Sequence, residues 1–72
     1  MNARQIFLLE FLLKQHEYLS ANQLAEKYGV STKTVYQDID KLNDFFDEGE
    51  LKSRIVKVPR KGIKLSADEE RK

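Results

Sequence analysis

Apolar residues follow helical spacing through the first two thirds of the chain and alternate with polar ones after residue 51. Ile6, Phe7, Leu8, Leu9, Phe11, Leu12 and Leu13 crowd a stretch without Gly or Pro, which predicts a first helix from Arg4 to Gln15. "HEYLS" interrupts it, with Tyr18 and Leu19 reading as one brief extended segment. Ser20 is an N-cap with Gln23 at capping-box spacing, opening a second helix from Ala21 to Tyr28 whose inner face carries Leu24 and Tyr28. Gly29 stands where a left-handed C-cap is expected, and Ser31 where the next N-cap is. A third helix then runs from Thr32 to about Phe46, because Val35, Ile39, Leu42 and Phe46 recur at i, i+4, i+7 and i+11 on one face.

"SRIVKV" is β-branched and mixed with bases, "PRKG" is a turn, and "IKLS" alternates apolar with polar. These signals predict a hairpin with strands near Lys52–Val58 and Ile63–Ser66, and Pro59 suits a strand end because it has no N–H for the ladder. The expected architecture is mainly α with a small antiparallel β-hairpin, three helices plus a wing, over residues 1–66. Residues 67–72, "ADEERK", read as a polar tail or the start of a linker to a further domain.

Composition narrows the chemistry. At 72 residues, 40% hydrophobic and 35% charged, the chain is one small globular domain, and without Cys it has neither disulfides nor a thiolate site. The longest apolar runs fall well short of the roughly 20 residues of a membrane span. The basic region and cleavage site of a secretory signal are missing, so a cytoplasmic protein is expected, with no membrane partner. Net charge is only +1, but its distribution is uneven. Six acids (Asp38, Asp40, Asp44, Asp47, Glu48, Glu50) face one base, Lys41, between residues 38 and 50. Six bases (Lys52, Arg54, Lys57, Arg60, Lys61, Lys64) meet no acid between 51 and 67. Such a basic stripe is the footprint of a phosphate-contacting surface, and equally of an ordinary solvated hairpin.

The outward face of the third helix separates these readings. Opposite Val35 lie Lys33, Gln37, Asp40 and Asp44, flanked by Thr34, Tyr36 and Lys41. Hydrogen-bonding and basic residues gather near the N-terminus of that helix, and the acids lie mostly one or two turns further on. This sorting suits a helix that enters a DNA groove by its N-terminal half. Ala25, Gly29, Val30 and Val35 are packing devices that any tight helix pair would want.

"LSANQLAEKYGVSTKTVYQDIDKLN" resembles the helix-turn-helix of bacterial winged-helix transcription regulators. The nearest type stands at the N-terminus of phosphotransferase-regulated (PRD-containing) activators, with DeoR-type and biotin-repressor-type regulators as relatives. The shared pattern is carried by Leu24, Ala25, Val30, Ser31, Thr34, Val35, Asp38, Ile39 and Leu42, and the wing's basic hairpin by Pro59, Arg60, Lys61, Gly62, Ile63 and Leu65. The resemblance spans residues 4 to 66 and implies double-stranded DNA as partner. It implies that Ser31, Thr32, Lys33, Thr34, Tyr36, Gln37 and Lys41 face DNA, and that Arg60 and Lys61 touch phosphates or the minor groove. Relatives commonly carry Arg where Lys33, Tyr36 and Gln37 stand, so this helix is less basic than theirs.

The remaining residues add little chemistry. His16, the only His, sits past a helix end, where capping or solvation is expected, and without a second His or a Cys it forms no zinc site. The carboxylates are expected on helix surfaces and in the acidic loop "DEGE"; with no nucleophile–base pair and no phosphate-binding Gly loop, neither an enzyme nor a cofactor is expected. Apolar residues wrap more than half of the first helix, where a stripe of about 100° suffices. The surplus is expected to form a homodimer face or a docking face for a C-terminal regulatory domain, unless the wing covers it. Two alternatives stay open: a winged helix that contacts proteins through its first helix, and an RNA-binding antiterminator module, which is typically β-rich.

Overall fold

A computed structural model describes residues 2–51 and 53–66. The first helix, α1 (Ala3–Leu13), is opened by a capping box absent from the sequence expectation. The Asn2 side chain accepts from Gln5 N at 2.9 Å, and Gln5 Oε1 accepts from Asn2 N at 3.1 Å. Its end falls short of Gln15 because Lys14 N and Gln15 N turn to the carbonyls three residues back, Phe11 O and Leu12 O, tightening the last turn. His16 is exposed beyond this end.

The second helix, α2 (Ala21–Tyr28), carries the expected Ser20–Gln23 capping box. It closes in a Schellman arrangement: Val30 N donates to Ala25 O, Gly29 N donates to Glu26 O, and Gly29 takes φ 67°. No atom lies near the place a Cβ would occupy on Gly29, so its backbone angle alone favours glycine there. Tyr28 is half-buried and not a core residue as expected; its phenol needs a partner and donates to Phe7 O at 3.3 Å at the rim. That partial burial raises its pKa.

The third helix, α3 (Thr32–Glu48), runs past Phe46. Its left-handed closing residue is Glu50 (φ 57°) rather than Gly49, with Leu51 N donating back to Phe46 O at 2.8 Å. The wing consists of β1 (Arg54–Val58) and β2 (Gly62–Ser66), antiparallel, with Ile55 opposite Leu65 and Lys57 opposite Ile63. Leu19 adds a one-residue bridge on the other side of β2, exchanging both backbone hydrogen bonds with Ile63 at 2.7 and 3.0 Å. The expected strand start at Lys52 and the tail at 67–72 lie outside the described residues.

Every element contributes to one core: Leu8 and Leu12 of α1, Leu24 and Ala25 of α2, Val35, Ile39, Leu42 and Phe46 of α3, Ile55 and Ile63 of the wing. The helical stripe expected on α3 is buried along its whole length. Phe45, next to Phe46 in the chain, is 46% exposed and has its ring centroid 6.1 Å from that of Phe46. The fold is thus three helices with a two-stranded antiparallel hairpin, a winged helix-turn-helix.

Candidate nucleic-acid interface

The α2–α3 turn fixes how α3 projects. Ser31 caps α3 through its hydroxyl, which accepts from Thr34 N at 3.1 Å and lies 3.1 Å from Thr34 Oγ1. Ser31 and Thr34 are therefore engaged with each other, and Thr34 is half-buried, as is Thr32. Lys33, Tyr36, Gln37 and Lys41 are exposed along the outer face of the same helix, while Val35 between them is buried.

The wing brings cations to this face. A cleft of about 390 Å³ is lined by Tyr36 of α3, Ala21 of α2, and Lys57, Pro59, Arg60 and Gly62 of the wing. Lys57 Nζ lies 5.3 Å from the Tyr36 ring centroid and 3.9 Å from Asp40 Oδ1, so it is held between an aromatic face and a carboxylate. Lys61 and Lys64 both approach the Tyr18 ring, at 5.8 and 5.7 Å. Arg60 and Lys61 occupy the exposed wing turn, where Lys61 N donates to Val58 O and Arg60 takes φ 70°. Pro59 before a positive φ matches a type II turn, with Arg60 at the position that usually holds Gly. Gly62 closes the turn at φ 117°, and a Cβ there would stand 2.5 Å from Leu19 O. The bridge to Leu19 therefore requires glycine.

The expected site residues thus divide. Tyr36 and Arg60 line the cleft between helix and wing; Gln37 and Lys41 line a second cleft, with Arg4, Gln5, Asp38 and Asp40. Ser31 and Thr34 are used in capping.

Three features escaped the sequence reading. Asp38, counted among the surface acids, is buried. It accepts from Arg4 Nε at 2.6 Å, Arg4 Nη2 at 3.1 Å and Gln5 Nε2 at 3.0 Å. Burial opposes its ionisation, but the hydrogen bonds from Arg4 and Gln5 and the Arg4 charge outweigh it, so its pKa lies below the ordinary carboxylate value. The signal was available, because residue 38 falls three after Val35, on the apolar stripe, where an acid needs a buried partner. Asn43 is the second: its amide donates to Ile55 O at 3.1 Å and accepts from Ile55 N at 2.8 Å, acting as a surrogate strand along β1. Lys57, read only as one of six bases, is the third.

The arrangement can present hydrogen-bonding side chains and cations to an anionic polymer along α3 and the wing. Among the described residues no group of His, Cys, Asp or Glu is arranged to hold a metal ion, and no helix is long and apolar enough to cross a membrane. No curated protein and no solved structure matches the chain significantly. A protein-family model described as "HTH domain" matches residues 4–64, which covers α1 through most of β2. With that match over most of its length and the helix-turn-helix geometry of α2 and α3, the chain belongs to the helix-turn-helix domain family, a family of DNA-binding domains of transcription regulators.

Proposed function

We propose that this chain binds double-stranded DNA sequence-specifically, as the DNA-binding domain of a bacterial transcription regulator of the PRD-containing type, with α3 in the major groove and the wing on the adjacent backbone. The observation that carries this reading is the cleft in which Tyr36 of α3 faces Lys57 and Arg60 of the wing. Lys33, Tyr36 and Gln37 supply donors and acceptors for base edges or phosphates, with the capping residues Ser31 and Thr34 and the partly covered Thr32 setting how closely the helix approaches. Lys33, Lys41, Arg60 and Lys61 supply the electrostatic share of affinity.

Selection of bound duplexes from a random-sequence pool tests it: enrichment of a defined motif is expected, and recovery of unbiased sequence contradicts sequence-specific reading. Two copies on paired half-sites follow from the small DNA surface one such module covers. Ile6, Phe7 and Leu13 of α1 are 41%, 57% and 61% exposed, and a second copy would cover part of this apolar surface. Light scattering that finds only monomer at high concentration contradicts that pairing.

A further inference from the structure

Arg4 is held on the α3 side of α1 by a chain of polar contacts. Asn2 and Gln5 cap each other, Gln5 Nε2 donates to Asp38 Oδ1, and Asp38 receives Arg4 through both carboxylate oxygens. Asp38 is 3% exposed and Gln5 8%, so two buried polar residues fix the guanidinium of an arginine whose side chain is 34% exposed. A tether between helices needs no exposed charge, and a side-on carboxylate leaves guanidinium N–H groups unused. The exposed side opens on the cleft of about 500 Å³ shared with Gln37, Asp40 and Lys41. There the Asp38 charge is matched by Arg4, and Asp40 stands 3.9 Å from Lys57. Among the described residues Lys41 forms no ion pair, with Asp44 and Glu48 beside it in the adjacent cleft, and Arg4, Gln37 and Lys41 are the donors here.

From this geometry we infer that Arg4, oriented by the buried Asp38, binds a phosphodiester oxygen of the DNA strand beside α3, in the cleft with Gln37 and Lys41. The interface then extends beyond α3 and the wing to the start of α1. Asp38 acts as a positioning residue, turning a long flexible cation into a fixed fork. This inference rests on the DNA-binding reading.

The test is duplex affinity over a range of salt, using the 72-residue chain and mixed-sequence DNA. Removing Arg4 alone strands a buried carboxylate and threatens folding, so the variant is the neutral pair Arg4→Gln with Asp38→Asn. Roughly tenfold weaker binding at low salt is expected, with a log K against log salt slope shallower by about 0.9, one phosphate contact. A folded double variant with the wild-type slope overturns the inference and leaves the DNA-binding reading standing. Should the variant unfold, the Arg4 Nε–H resonance of the unmodified protein decides: it shifts on adding duplex if Arg4 meets phosphate. An unmoved Arg4 signal, while Tyr36 and Gln37 amides shift, overturns the inference. No shift anywhere along α3 means that DNA binding itself has failed.

Discussion

Arg60 takes φ 70° at the tip of the wing, a conformation that costs a non-glycine residue roughly 1–2 kcal/mol. A residue kept at such a position against its backbone preference is a candidate for function. Arg60→Gly is therefore expected to raise stability by about 0.5–1 kcal/mol in a urea melt while weakening DNA binding, two effects of opposite benefit. If stability and affinity fall together, the residue serves the turn and not the interface. Gly62, two positions on, has the reverse logic: Gly62→Ala forces a Cβ against Leu19 O and is expected to disrupt the Leu19–Ile63 bridge and lower the melting temperature. Asn43→Ala leaves both backbone groups of Ile55 without partners, and a loss of about 2–3 kcal/mol in the same melt is expected. A hairpin was legible from the alternation of its strands. The reason for its Gly was not, because the obstructing carbonyl belongs to a residue 43 positions earlier in the chain.

At the scale of elements, α3 has two working faces, and the apolar one was the more legible. Val35, Ile39, Leu42 and Phe46 are all buried as their spacing implied, since periodicity reports which side of a helix is covered. Truncation at its centre, Ile39→Ala, is expected to cost about 2–5 kcal/mol, enough to unfold much of so small a domain. Asp38 lies on the same stripe, and its burial is legible only when helical position is combined with charge type. Its ion pair with Arg4 has a definite pH signature. The folded-state pKa is below the unfolded value of about 3.9. The unfolded chain therefore binds more protons through that window, and stability falls as pH is lowered through it toward the folded value. The contribution is fully present above the unfolded pKa. Acid titration of stability is expected to be steeper in the native protein than in Asp38→Asn; identical profiles below about pH 4 would show that the pair contributes nothing.

For the whole molecule, the charge distribution and the fold agree. The end of α3 and the turn after it carry Asp44, Asp47, Glu48 and Glu50, and the wing carries Arg54, Lys57, Arg60, Lys61 and Lys64. Apart from the exposed pair Arg54–Asp47 at 2.6 Å, whose worth in solvent is small, Lys57, Lys61 and Lys64 of the wing lie against aromatic rings, Lys57 also beside Asp40. A surface of this kind gains affinity for DNA mainly by releasing counterions, which gives it a measurable salt signature. Titration of fluorescent duplex DNA at about 50 and 200 mM salt, for the native chain and for the double variant Lys33→Ala, Arg60→Ala, reads that signature directly. Binding that weakens steeply with salt is expected, with a slope shallower by about 1.8 in the double variant for two lost phosphate contacts. No binding at the lower salt, or an unchanged slope and affinity in the double variant, would contradict a DNA interface formed by α3 and the wing.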